Sequence, residues 1–455
     1  MGRAAPDSSG LTARLVAQSL ALRFGDLPLD VRRVARDCVV DWLACTLAGL
    51  SEPVSGVVAE AATDEGSHAQ ASFVGRRTMG SVQQAALVNG TASHALDYDD
   101  VNLCVPGHMT VAILPAVLAL AEHHGVDGAQ VLASFTAGYE FACRIGRLVE
   151  PAHYANGFHA TATIGCLGAA VACGHLLQLG EDRTCHAVGV AATQAAGMKA
   201  MFGTMAKPLH AGLAARAGLQ SALWAAKGFT SRTDAIECGQ GFAALHGQDF
   251  RLDDALATPS GGFHLLSNLF KFHAACYSTH ATIEAVSALR QSHGLKPADL
   301  DQIHVVAGEG CTICNIPSPT THLEAKFSLR ATAAFAMLGI DTSGLQAWGR
   351  VVDPDVVAVR DKVVVELVPS RGLSDAQVTV HMRDGAEWQL DHDCGIPQAD
   401  KQAQSLRVAD KFCALAGPVV GAERTEAIMA MMSSAHDGFE LAPLIHLCAV
   451  SSDEP

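Results

Sequence analysis

Charge is scarce in this chain of 455 residues: Asp, Glu, Lys and Arg make up 17% of it, with 46 acidic residues against 31 basic ones. A formal net charge of -15 and no clustered Lys/Arg stripe exclude a nucleic-acid-binding surface, so any anion must be held locally. Aromatic residues amount to only 5%, which leaves the core to be built from Ala, Val and Leu. Long uninterrupted apolar runs are also missing. The nearest, Ala160 to Leu177 and Ala187 to Met201, contain His, Gln, Lys and Gly among small side chains, as tightly packed interior helices do and membrane spans do not. The start, Met1 to Gly10, is polar, and the first apolar run, Leu11 to Phe24, is broken by Arg14, Gln18 and Arg23, so no secretory signal is expected. No P-loop, no GxGxxG after a strand and no GxSxG elbow is present, which removes the main support for phosphate-loop, dinucleotide and α/β-hydrolase chemistry.

Cysteine is not scarce, but the fourteen residues are scattered through apolar segments (Cys38, Cys45, Cys143, Cys166, Cys173), as buried thiols of a reducing compartment are. A cytoplasmic protein is expected. Cys311-Thr312-Ile313-Cys314 has metal spacing but no partner pair, so no zinc site is expected there.

The chain changes texture along its length. From Leu11 to about Gly228 apolar residues recur at three and four, as in Val31 to Leu43, which predicts a many-helix domain. From about Leu300 short β-branched runs alternate: Gln302 to Ala307, Val363 to Val368, and Ala376 to Met382 before the turn Asp384-Gly385. Helical spacing at Ala275 to Ser292 and Ala325 to Leu338 makes that region α+β, and the tail from Leu406 to Met432 is helical again. The expected fold is mainly α: a discontinuous helical domain with an inserted α+β domain.

Polar chemistry crowds into Asn89 to Pro115, NGTASHALDYDDVNLCVPGHMTVAILP, where ionisable groups between apolar runs are costly unless paired or used. Helical spacing would put His94 beside Asp97 and Asp97 beside Asp100, while His108 follows Pro106-Gly107 on a loop before a helix opening at Met109. A solvated helix end and a solvated loop histidine are the bland readings of the same residues. In Phe202 to Gly212, Pro208 suits a first helical turn, which sets Thr204, Lys207 and His210 near a helix N-terminus that favours an anion. Lys271 to His280 gathers Lys271, Cys276, Tyr277 and His280 at the seam between the two textures, and Gly157-Phe158-His159 precedes another helix.

These blocks together resemble the MmgE/PrpD family, whose members include 2-methylcitrate dehydratase, cis-aconitate decarboxylase and iminodisuccinate epimerase. The matching segments are NGTASHALDYDD with His108, GFHATATIG at 157–165, GTMAKPLHAGLAARAG at 203–218, 271–280, and EAKFSL at 324–329. The resemblance implies a helical domain over 1–268 and 402–455, an α+β lid over 269–401, and a homodimer. It also implies a site without metal or cofactor for a small di- or tricarboxylate. Carried over residue by residue, it makes Lys207 and Lys271 carboxylate clamps, His108 an acid/base, Asp97 its orienter and His159 a second proton carrier. Asn102, Thr204, His210, Cys276, Tyr277 and His280 are then expected near the substrate.

The shared chemistry is proton transfer at a carbon next to a carboxylate. Many relatives have Thr-His where this chain has Val101-Asn102 and His-Pro-Ser where it has His108-Met109-Thr110, and the decarboxylase branch carries histidine at Cys276. The first two departures limit how far a substrate can be carried over, Cys276 weighs against a cis-aconitate decarboxylase, and the expected function is a 2-methylcitrate dehydratase-like hydro-lyase. Decarboxylation or epimerisation of a related acid is the alternative, and a non-catalytic acid-binding scaffold is the minor one.

Overall fold

The computed structural model describes residues 10–247, 250–433 and 438–450; the polar start read at Met1 to Ser9 lies outside them. The chain divides into two compact units, Met1–Phe270 with Gln398–Pro455, and Lys271–Pro397.

The first unit is helical. Its framework is α1 (Leu29–Gly49), α2 (Val82–His94), α3 (Met109–His124), α4 (Gly128–Val149), α5 (Gly165–Leu176) and α6 (Ala206–Ala226), closed by the tail helix Lys401–Val420. The small residues dictate how these helices meet. Every residue of α3 from Met109 to Ala121 is buried, and so is every residue of α5, so both are interior helices with no polar face. α2 and α6 touch backbone to backbone. A Cβ on Gly212 would lie 2.2 Å from the Leu87 carbonyl oxygen, and one on Gly90 would lie 2.8 Å from the Gly212 Cα. That approach fixes the helix ending in His94 against the helix beginning near Lys207. A short hairpin, β1 (Ala71–Ser72) with β2 (Met79–Gly80), docks on α2 through Asn89, whose Oδ1 accepts from Val74 N–H at 2.9 Å and whose Nδ2 donates to the Ser72 carbonyl at 3.0 Å.

The second unit is α+β. Its strands β3 (Leu300–Gly308), β4 (Val363–Val368), β5 (Asp375–Met382) and β6 (Glu387–Asp393) form one sheet in the order β4-β3-β5-β6. β4 is parallel to β3, in register from Ile303 opposite Val363, and the other pairs are antiparallel. The turn read at Asp384-Gly385 joins β5 to β6, with Gly385 at φ 88°. Two expected helices are interrupted. The one read from Ala275 begins with a 3₁₀ turn at Tyr277–Thr279 before α7 (His280–His293), and the one read from Ala325 splits at Phe327 into His322–Lys326 and α8 (Leu329–Leu338) because Ser328 caps a fresh helix. Among the described residues no single helix is long and apolar enough to cross a membrane.

Candidate active site

α2 stops at His94, and the chain does not continue as a helix into the acidic motif. Asp97 takes φ 52°, a left-handed conformation uncommon outside glycine, and its N–H donates to the His94 carbonyl. This corrects the pairing that helical spacing predicts. His94 meets Asp99 and not Asp97: its Nδ1 is 2.8 Å from Asp99 Oδ1. The turn sends the Asp97 carboxylate the other way, to Lys207 Nζ at 2.7 Å. Such a backbone conformation is a cost that functional sites tend to carry.

His108 caps α3. Its backbone N–H donates to Thr161 Oγ1 at 3.0 Å, and its ring lies between two acids, with Nδ1 2.8 Å from Asp99 Oδ2 and Nε2 3.5 Å from Asp97 Oδ1. The 2.8 Å approach is close but out of line for a hydrogen bond. Asp99 is thus the carboxylate flanked by two imidazoles. Burial by itself would raise its carboxyl, but His94 and His108 outweigh burial and hold it well below the ordinary value. Burial drives His94 down to about 4 against the pull of Asp99. At neutral pH, then, an ionised Asp99 can only accept, His94 carries its proton on Nδ1, and the buried His94 Nε2 is a bare lone pair with no hydrogen-bond partner among the described residues.

His159 completes a wall of histidines. It stacks on His94 with ring centroids 6.0 Å apart, and its Nδ1 lies 3.0 Å from His210 Nδ1. Burial is the main reason both rings are pushed to lower pKa, with the charges of His94 and Lys207 adding to it. Two neutral imidazoles can share that contact only as one donor and one acceptor. Lys207 also lies 5.2 Å from the Phe202 ring centroid.

Two residues expected near the substrate, Asn102 and Thr204, make hydrogen bonds within the protein. Asn102 is buried and fully engaged: Oδ1 accepts from Cys104 N–H at 3.1 Å, Nδ2 donates to Tyr139 Oη and to the His264 carbonyl at 3.2 Å each, and its N–H bonds to the Gly107 carbonyl. It ties down the loop that presents His108. Thr204 is exposed, its hydroxyl donating to the Met201 carbonyl and accepting from Ala206 N–H, as a turn residue does. Lys271, Cys276, Tyr277 and His280 belong to the second unit. There Lys271 is buried, Cys276 N–H donates to the Lys326 carbonyl, Tyr277 Oη donates to the Cys394 carbonyl, and the Tyr277 and His280 ring centroids are 5.0 Å apart.

Reading the sequence by period did not pair His94 with Asp99. The signal was present, since both lie in the motif. Only the turn at Asp97 shows which acid faces which imidazole. One ligand atom each of His94, Asp97, Asp99 and His108 lie within 4.8 Å of one another, a spacing a metal ion could use. The carboxylates are already engaged, however. Asp97 is neutralised by the Lys207 ammonium, and each Asp99 oxygen faces a histidine. The set therefore fits a metal poorly, with the lysine supplying the local positive charge.

Beneath the site Asp100 is fully buried, accepting from Thr110 Oγ1 at 2.6 Å and from Asn268 Nδ2, while Asn268 Oδ1 accepts from Tyr139 Oη at 2.7 Å. Burial, then the nearby Asp41 charge, pushes Asp100 up to about 7. The native protein therefore holds a proton between pH ~4 and ~7 that the unfolded chain has released, and stability falls as pH rises through that window. His94 acts in the opposite sense, because the unfolded chain binds its proton between about 4 and 6.5 and the folded chain does not. Asp100→Asn removes the first slope and leaves the second. Relative to wild type, the variant gains stability as pH rises from ~4 to ~7, by about 1 kcal/mol per pH unit. Denaturant midpoints at pH 5, 6, 7 and 8 check this, and parallel profiles for the two proteins would contradict it.

Comparison with known proteins follows the same residues. Residues 13–254 match the MmgE/PrpD N-terminal domain and residues 273–436 the MmgE/PrpD C-terminal domain. The chain is 27% identical over 484 residues to a cis-aconitate decarboxylase of Aspergillus terreus, covering 98% of this chain and 97% of that one. It is 27% identical over 372 residues to the human cis-aconitate decarboxylase, covering 78% and 76%. To the cis-aconitate decarboxylase-like protein oryM of Aspergillus oryzae it is 30% identical over 310 residues, covering 65% and 64%.

Proposed function

The chain belongs to the MmgE/PrpD family, and we propose from this and from its site that it is a lyase releasing carbon dioxide from a small unsaturated tricarboxylate of the cis-aconitate kind. The observation that carries the chemistry is the Lys207 ammonium set 2.7 Å from Asp97, with His108 between Asp97 and Asp99. Similarity to proteins named as cis-aconitate decarboxylases, over nearly the full length of one of them, favours carbon–carbon cleavage over the dehydration expected from sequence, although Cys276 weighs against it.

In such a decarboxylation the bond to a departing carboxylate breaks and its electron pair moves into conjugation, through the alkene, with a remaining carboxylate. The alkene shifts, and a proton is added at the carbon next to that carboxylate. Lys207 stabilises the charge that builds on the retained carboxylate, as a preorganised cation does without reorganisation. His108, with carboxylates at both ring nitrogens, delivers the proton, and Lys271 is our assignment for a second carboxylate clamp. The same groups run in the other direction would take a proton from such a carbon, which is what a hydro-lyase requires. We read the protein as cytoplasmic and working as a homodimer without a resident cofactor; the buried free thiols of Cys38, Cys45, Cys166 and Cys173 bear on the first of these alone, as thiols of a reducing compartment.

The test is to incubate the purified protein with cis-aconitate and, separately, with 2-methylcitrate, and to follow carbon dioxide and alkene absorbance. The expected result is stoichiometric carbon dioxide from cis-aconitate or a close tricarboxylate, unchanged by a chelator. New absorbance from 2-methylcitrate without carbon dioxide would replace this reading with the hydro-lyase.

A further inference from the structure

The hairpin β1–β2 carries Arg76 and Arg77 at its tip, where Gly75 at φ 78° turns the chain. Together with the C-terminal helix Leu441–Cys448 and with Arg424, these residues line a cavity of about 500 Å³ that also includes His446 and Glu122. The volume lies in the range of small-molecule sites. Its charge is what singles it out. Three arginines meet one carboxylate in a chain whose net charge is -15. That carboxylate is already occupied, because Glu122 accepts from Ser72 N–H at 2.9 Å and from Ser72 Oγ at 2.6 Å.

Among the described residues Arg76 has no counter-charge. Its Nε is buried without a hydrogen-bond partner among the described residues, and burial alone, with no opposing anion, lowers its pKa. A guanidinium taken partly out of water with no partner is a cost, and it is removed by an oxyanion that meets the planar fork. Arg424 donates one N–H to the Ala449 carbonyl, which holds the C-terminal helix end at the cavity wall and leaves the guanidinium its other donors. The cavity is separate from the histidine cluster. Glu122 lies on α3 thirteen residues after Met109, roughly 20 Å along the helix from the end that His108 caps.

We infer that this cavity is a second binding site, which takes a small organic or inorganic anion carrying two or more negative charges and recognises it through Arg76, Arg77 and Arg424. Phosphate groups and polycarboxylates share that chemistry, and the two arms of the experiment separate them.

Calorimetric titrations of the full chain at constant ionic strength use pyrophosphate in one arm and tricarballylate in the other. Arg76→Gln/Arg77→Gln should weaken binding of the accepted anion at least tenfold, while turnover without added anion stays within twofold of wild type. Loss confined to pyrophosphate assigns a phosphate-bearing ligand, and loss of one tricarballylate site assigns a polycarboxylate. Arg77→Gln alone, at an exposed position, provides a folded variant should the double one fail, and it is expected to weaken binding severalfold. Equal affinities in wild type and variants, no binding at millimolar anion, or heats that sodium chloride reproduces would overturn the inference.

Discussion

Replacing His108 by glutamine lowers kcat by about 10²- to 10⁴-fold, the range that removal of a positioned proton carrier gives, while KM moves by no more than a few-fold. Glutamine keeps a polar head at roughly the reach of the imidazole, the Asp99 carboxylate keeps its contact with His94 Nδ1, and the loop keeps its ties through Asn102. What it cannot do is pass a proton. Substrate affinity should survive because the Lys207–Asp97 pair is untouched. A companion variant decides between the two imidazoles on Asp99. If the bare Nε2 of His94 were the working atom, His94→Gln would carry the loss and His108→Gln would not. Asp99→Asn should depress kcat in either case, since it removes the carboxylate that fixes the proton of His94 on Nδ1. Full activity in His108→Gln would remove the central role assigned here, and the melting curve of the variant shows whether a loss reflects chemistry or fold.

Much of this site was legible before any coordinates, and the part that was not has a physical cause. Periodicity found α1 because apolar residues recur at three and four from Val31 to Leu43, and alternation found β3, β4 and β5 to within two residues. It failed where one residue leaves the period. A single left-handed Asp97 moves every later side chain of the motif, so His94 meets Asp99 while Asp97 turns to Lys207. Nothing in the residue types DYDD announces that turn. Ser328, by contrast, shows why one expected helix became two: a serine that caps a new helix reads in sequence much like a serine inside an old one. Asn102 illustrates a similar limit, because the hydrogen bonds a polar residue makes to distant segments, here to Tyr139 and His264, are not written in the sequence around it.

Lys411→Met should destabilise the protein by about 3–5 kcal/mol, the largest stability effect expected of a single substitution here, because it breaks a buried ion pair by removing one partner. Lys411 comes from the tail helix and reaches α1 within the first unit, where Nζ is 2.6 Å from Asp41 Oδ1 and donates to the Tyr98 carbonyl at 2.6 Å. Both side chains are almost wholly buried, at 3% and 1% exposure, so water cannot replace the lost partner. Burial alone would lower the lysine pKa, but Asp41 outweighs burial and holds the ammonium charged. Methionine fills a similar volume and leaves Asp41 as an uncompensated carboxylate close to Asp99 and Asp100. The loss also frees the Tyr98 carbonyl, in the very segment that carries Asp97, so any folded fraction should turn over more slowly than its melting temperature alone accounts for. The double variant Asp41→Leu/Lys411→Met is the control. It removes both charges, and because an apolar replacement for a buried pair is often neutral, it should recover most of the stability without restoring the Tyr98 contact. A single variant that unfolds within about 1 kcal/mol of wild type would show that the pair adds little. The anchor of the acidic motif would then have to lie in Asp100, Thr110 and Asn268 instead.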